Sequence, residues 1–205
     1  MEFKLSEDQQ LMKDMFVEFT EQFIKPIAAE LDEQERFPEE LIPQLGETGL
    51  LGIPVAEEYG GAGADNMSYV LAVEEVSKVD ASFGIAFSVT TSLYAGSVWN
   101  SDATEEQKKA FLPEVLSGKA LGSFGLTEPN AGSDAGGCIT TAVKDGDEYV
   151  INGLKCFNTN GPLAKYTAVY ALTEPEKKSK GLACFIVDRE NTAGVRTGKI
   201  ENKMG

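Results

Sequence analysis

Histidine is absent from all 205 residues. That absence removes Ser-His-Asp and Cys-His triads, histidine metal ligation and imidazole acid–base chemistry. Cysteine is scarce: Cys138, Cys156 and Cys184 are widely spaced, odd in number and without a CxxC pair. The expectation is buried structural thiols, with no disulfide framework and no metal site. No apolar run reaches the ~18 residues of a membrane span, and "MEFKLSEDQQ" has neither an apolar signal core nor an Arg-rich transit character. A soluble, untargeted, cytoplasmic chain that enters no membrane is expected. Basic residues are outnumbered, 18 against 33 acidic, and the net charge of −15 repels nucleic acid and anionic lipid alike. An anionic small ligand stays open, because turn amides and helix N-termini bind phosphate locally.

What is present begins with helices. Ser6 and Gln9 stand at capping-box spacing, and Leu11, Met15, Phe16, Phe19 and Phe23 then fall on one face. Pro26 is expected to kink that helix or end its first half, since it offers no amide to the preceding turn. Pro38 with Glu39 and Glu40 predicts a second helix, stopped by Gly46 or Gly49. "LLGIPVAEEYGGAGAD" reads as a loop, followed by helices over about 67–79 and 82–100, the latter almost without charge and so fit for the middle of a bundle. Thr104 and Gln107 form a second capping box, opening a helix whose Phe111, Val115 and Leu116 face inward and whose stop is Gly118.

After Gly118 the pattern turns to β-branched and aromatic runs. Asp145-Gly146 and Asn152-Gly153 are hairpin-turn dipeptides, and "YTAVYALTE", "KGLACFIVD" and "AGVRTGKIE" read as further strands. The fold class is therefore α+β: an N-terminal all-α helical bundle over 1–118, then an incomplete antiparallel β-barrel domain over 119–205. The sequence stops at "ENKMG" just after a strand-like run, so that second domain is expected to be unfinished within this chain.

One stretch does not fit a simple strand or helix. "FGLTEPNAGSDAGG", Phe124 to Gly137, is rich in glycine and poor in side chains. It is not a GxxxxGK[ST] loop, and no helix follows it as a GxGxxG site requires. Glycines would let main-chain amides approach a ligand, with Thr127 and Ser133 offering hydroxyls. Glu128 and Asp134 are either an acid–base pair or turn-forming groups, the second being favoured by their places beside Pro129 and Ser133. From residues alone, a ligand loop and a domain connection both remain open.

"FGLTEPNAGSDAGG" resembles the flavin-binding signature of the acyl-CoA dehydrogenase family. The likeness extends to "LPEVLSGKALGSFGLTEPNAGSD", "DGDEYVINGLKCFNTNG", "GLACFIVDRE" and "VAEEYGGAG", in family order. It implies a helical domain and part of a middle β-barrel, completed elsewhere by a C-terminal four-helix domain, with FAD as cofactor and acyl-CoA as substrate. By position, Phe124, Gly125, Leu126 and Thr127 correspond to flavin-contacting residues, and Ser133 to one shared by cofactor phosphate and substrate CoA. Phe157, Asn158 and Thr159 match the second flavin segment: an aromatic beside the ring, its neighbour, and a hydroxyl near flavin N5. Ser179 matches a residue that reaches the CoA moiety.

The implied reaction is α,β-dehydrogenation of a short-chain, butyryl-type acyl-CoA to a trans-2-enoyl-CoA, with electrons passed to electron-transferring flavoprotein. In that family the catalytic glutamate lies in the C-terminal domain. No catalytic residue is therefore assigned here, and the isolated chain is expected to be inactive. The resemblance also implies a homotetramer for the full-length protein, and an acyl cavity closed partly by residues around Ser92 to Gly96. Two other classes stay open: an acyl-CoA oxidase-like enzyme, and a binding or structural module without catalysis.

Overall fold

The computed structural model describes residues 4–203; expectations resting on the extreme ends fall outside the described residues. The chain divides into two compact units, one comprising residues up to Ala120 with the tail from Asn202, the other Leu121–Glu201.

In the helical unit, α1 (Glu7–Phe19) starts at the expected capping box: Ser6 Oγ accepts from the Gln9 amide at 3.1 Å and Gln9 Oε1 from the Ser6 amide at 3.0 Å. The helix then widens into a π-helical turn at Thr20–Ile24, where the Thr20 hydroxyl donates to the Phe16 carbonyl. It breaks at Pro26 before α2 (Ala28–Gln34). The helix predicted from Pro38 is a 3₁₀ turn leading into α3 (Ile42–Glu47), and Gly49 at φ 73° ends the run.

Asp65 caps α4 (Asn66–Ser77), accepting from the Ser68 amide at 2.8 Å, and Asp80 caps α5 (Ala81–Ser88). The near-uncharged helix continues as a π segment, Val89–Ala95, into α6 (Gly96–Trp99). The second capping box opens α7 (Glu105–Phe111); α8 (Pro113–Leu116) follows and ends at Gly118, φ 72°.

Phe16, Phe19, Ile24, Leu45, Leu50, Leu51, Phe83 and Phe87 build the core of this unit. Each such side chain contributes about 1.5–3 kcal/mol by leaving water. On the last helices Leu112 is fully buried with Val115 and Leu116, while Phe111 is only half-buried.

The second unit holds a mixed five-stranded sheet of β1 (Gly122–Gly125), β2 (Thr141–Asp145), β3 (Glu148–Asn152), β4 (Tyr166–Leu172) and β5 (Leu182–Asp188). β5 runs antiparallel to β4 along its whole length, from Tyr166↔Asp188 to Leu172↔Leu182. A strand has two edges, so β1 and β2 share the other one. β1 pairs parallel over Gly122↔Tyr166 to Gly125↔Val169, and β2 takes over at Thr141↔Leu172. β2 and β3 form the expected hairpin, but one residue out of the expected register: Asp145 pairs with Glu148, so the two turn residues are Gly146, at φ 60°, and Asp147 rather than Asp145-Gly146.

The α+β class stands and the sheet is open, yet its pairing is mixed rather than wholly antiparallel. The reason is topological: after β1 the chain leaves the edge of β4 and returns to that same edge as β2. Three further local expectations differ from the structure. Asn152-Gly153 makes no hairpin turn; Gly153 follows the end of β3 where the backbone passes so close to Thr140 that a Cβ would lie 2.1 Å from its Oγ1. "AGVRTGKIE" forms no strand among the described residues. β1 lies across the start of a stretch that reads as loop.

Candidate functional site

The glycine-rich stretch is the excursion between β1 and β2, and its neck is closed by one carboxylate. Glu128 is buried and accepts from the Ile139 amide at 2.7 Å, the Thr140 amide at 3.1 Å, the Cys138 thiol at 2.9 Å and Lys155 Nζ at 2.6 Å. The amides lie on the returning limb of the loop. Glu128 and Ala131 also exchange backbone hydrogen bonds of 2.9 and 3.1 Å, making a tight turn over Pro129-Asn130.

Burial alone would raise the Glu128 pKa. The bonds from Cys138, Ile139, Lys155 and Thr140 outweigh it and hold the carboxyl far below the usual range. The same burial, with Glu128 as its acceptor, pushes the Cys138 thiol up, which marks a structural thiol rather than a nucleophile. Glu128 is thus a fixed anion serving loop geometry.

The two segments singled out in the sequence meet here. The Cys156 amide donates to the Thr127 carbonyl at 2.9 Å and Lys155 Nζ to the Leu126 carbonyl at 3.1 Å, tying "FGLT" to "KCFNT". Phe124 lies half-buried in β1 with its ring 5.2 Å from that of Tyr170. The absent side chain of Gly125 leaves space beside the Asn158 amide. Leu126, Thr127, Asn158 and Thr159 are half-buried.

Phe157 is 73% exposed and sits at φ 53°. A bulky side chain in the left-handed region costs about 1–2 kcal/mol, and such strain collects at functional sites. Asn160 shares the left-handed conformation, φ 64°, which asparagine tolerates. It accepts from the amides of Leu163 and Ala164, closing the turn behind Phe157.

Ser133 and Ser179 are both exposed, on different loops that touch: a Cβ on Gly136 would lie 3.4 Å from Ser179 Cβ. Sequence reasoning missed Lys155 and Arg189. Arg189 donates to the carbonyls of Gly161 and Ala164, the latter at 3.1 Å, and so braces the turn that follows Thr159. Its only sequence signal was a basic residue just after an apolar strand.

The residues present fit a flat heteroaromatic ligand. An exposed aromatic face stands beside uncharged hydroxyl and amide donors, and the buried Asn158 Oδ1 has no hydrogen-bond partner. Among the described residues no group of three or more His, Cys, Asp or Glu could hold a metal ion, and no helix is long and apolar enough to cross a membrane.

The helical unit has its own cavity of about 400 Å³, lined among others by Asp65, Tyr69, Thr91, Ser92, Gly96 and Trp99. Trp99 is backed by the Tyr59 ring at 5.4 Å and by Lys108 Nζ at 5.5 Å. The Tyr59 hydroxyl donates to Glu105, a bond that raises the Tyr59 pKa to about 12.

Both units match one class of flavoenzyme. The model for the acyl-CoA dehydrogenase N-terminal domain matches residues 6–119, and that for the acyl-CoA dehydrogenase middle domain matches residues 123–205. The chain belongs to the acyl-CoA dehydrogenase family. It is 48% identical over 205 residues to a short-chain specific acyl-CoA dehydrogenase of Clostridium acetobutylicum, covering 100% of this chain and 54% of that protein. Among solved structures it resembles the butyryl-CoA dehydrogenase of Megasphaera elsdenii, with TM-score 0.93, 42% identity, and coverage of 100% of this chain and 54% of that one. It also resembles a chain in the structure of the electron transferring flavoprotein of Acidaminococcus fermentans, with TM-score 0.96, 47% identity, and coverage of 100% and 53%. The chain spans about half the length of the relatives it matches.

Proposed function

We propose that the protein carrying this chain is an FAD-dependent short-chain acyl-CoA dehydrogenase and that the chain supplies part of the cofactor and acyl-CoA site. The observation that carries the reading is the junction of "FGLT" with "KCFNT", where the Thr127 carbonyl binds the Cys156 amide beside the strained, exposed Phe157. FAD supplies the hydride acceptor. Phe124, Gly125, Leu126 and Thr127 would hold the ring, with the Thr127 amide and hydroxyl as its donors. Fixed uncharged donors of this kind stabilise negative charge without reorganising. Phe157 would supply the aromatic contact to the cofactor, and Asn158 and the Thr159 hydroxyl its further polar contacts. Ser133 takes cofactor phosphate and CoA, and Ser179 the CoA moiety.

No catalytic base is assigned within the chain. Glu128 is unsuited to that role, because it is buried and all its neighbours favour the ionised form. The short-chain preference is supported by the named specificity of the Clostridium relative and of the Megasphaera enzyme. Electron-transferring flavoprotein is the proposed acceptor, and a homotetramer the proposed assembly. Residues 1–118 and 119–205 are the proposed helical and middle domains.

The test is anaerobic bleaching of the flavin band, at about 450 nm for an oxidised flavin, in the full-length protein. Butyryl-CoA is expected to bleach it faster than octanoyl-CoA. The reverse order overturns the short-chain assignment, and no bleaching by any acyl-CoA overturns the dehydrogenase. Rapid peroxide formation in air would instead establish an oxidase.

A further inference from the structure

We propose that Lys155 is a positioning residue for the cofactor: its ammonium, held by Glu128, aims the Thr127 amide at the flavin. The inference rests on the flavin-site reading above and deepens it.

β1 ends at Gly125, so residues 126–128 lie beyond the sheet ladder. Two bonds from the segment after β3 replace it: Lys155 Nζ to the Leu126 carbonyl at 3.1 Å, and the Cys156 amide to the Thr127 carbonyl at 2.9 Å. In a trans peptide the carbonyl of one residue and the amide N–H of the next point in opposite directions. Fixing the Thr127 carbonyl toward Cys156 turns the Glu128 amide the other way, where it meets the Ala131 carbonyl at 2.9 Å. By the same geometry, fixing the Leu126 carbonyl toward Lys155 turns the Thr127 amide away from the lysine. That amide is one of the two donors the flavin reading requires of Thr127.

The surroundings of Lys155 explain why the donor is charged. Its side chain is 10% exposed and that of Glu128 1%, with Nζ and Oε1 2.6 Å apart. A buried ammonium needs a counter-charge, and Glu128 is itself immobilised by Ile139, Thr140 and Cys138. The carboxylate closes the loop and anchors the lysine, and the lysine sets the direction of the peptide. Because the two charges oppose each other, the pair acts by orientation rather than by its field.

The experiment compares the FAD-loaded full-length wild type with Lys155→Met, Lys155→Arg and Glu128→Gln. It reads the FAD dissociation constant, the visible flavin spectrum and, by circular dichroism, the fold. Lys155→Met is expected to weaken FAD binding roughly tenfold and to shift the flavin band, as loss of a charged hydrogen bond would. Lys155→Arg, which keeps charge and donors, is expected to recover wild-type affinity to within about threefold. Glu128→Gln is expected to weaken binding in the same direction by less.

A folded Lys155→Met with wild-type affinity and spectrum overturns the positioning role. If Lys155→Met does not fold, Glu128→Gln carries the test, and unchanged affinity and spectrum there overturn it. A wild type that binds no FAD overturns the flavin reading itself, which the wild-type measurement alone reveals.

Discussion

At the scale of single residues, two groups carry opposite kinds of tension. Glu128 is a buried anion whose folded pKa lies below its ordinary value of 4.5. Its contribution to stability is therefore complete above about pH 4.5 and is lost as pH falls toward the folded value. Urea titrations from pH 7 downward should show stability declining below about pH 4.5, with Glu128→Gln flattening that decline. Glu128→Ala, which strands Lys155 and two amides, should cost about 3–5 kcal/mol at neutral pH; a loss under 1 kcal/mol would show that the neck does not depend on the carboxylate. Phe157 carries strain instead, with an exposed ring held at φ 53°. Phe157→Gly relieves that strain and removes little burial, so the FAD-free protein should gain up to about 1 kcal/mol while FAD binds more weakly. Unchanged FAD affinity would exclude Phe157 from the site. In the sequence Glu128 was legible as a turn former through Pro129, but its partners were not. Cys138, Ile139 and Thr140 reach it only because the loop folds back on itself, and Lys155 only through the pairing of separate segments.

At the scale of elements, legibility followed whether the decisive contacts were local. Both capping boxes, the break at Pro26 and the Gly118 stop are set within one helical turn, and each appears where the sequence placed it. β1 is four residues long, with glycine at both ends, and becomes a strand only because β4 lies beside it. Residues 193–201 have strand-like composition yet find no ladder partner among the described residues. The junction of α1 with α4 was equally invisible in the sequence. Glu75, buried on α4, accepts from Lys13 of α1 at 3.3 Å and from Lys78, which caps the C-terminus of α4, at 2.8 Å. Burial pushes its pKa up, but the two lysines prevail and lower it. Glu75→Ala leaves both lysines without this acceptor; Lys13 is partly buried, while Lys78 is exposed and keeps Glu74 at 3.0 Å, so a loss of about 1–2 kcal/mol is expected in chemical denaturation. Glu75→Gln, still an acceptor, should lose less; equal losses would show that packing rather than the ion pair joins the helices.

For the molecule as a whole, composition excluded more than it identified, and the flavin reading came from motifs distributed along the chain rather than from its net charge. That charge of −15 on this chain nevertheless bears on the proposed electron acceptor. On α1, Leu11 is 71% exposed and Met15 38%, and Asp14 and Glu18 stand beside them around a shallow apolar groove. An apolar patch flanked by carboxylates favours a partner that presents an apolar side chain within basic surface. Long-range attraction then raises the encounter rate, while the apolar contact sets the lifetime of the complex. Salt acts on the first term and hardly on the second, because the Debye length shrinks from about 30 Å at 0.01 M to about 10 Å at 0.1 M. With electron-transferring flavoprotein as the proposed acceptor, and with this chain's acidic face steering it, second-order electron transfer from the substrate-reduced full-length protein should therefore slow by about tenfold or more over that range. Leu11→Ala should lower affinity at every ionic strength and leave the slope unchanged. A rate indifferent to salt would mean that the acidic surface does not steer the partner, and a slope altered by Leu11→Ala would mean that charge and apolar contact are not separable on this face.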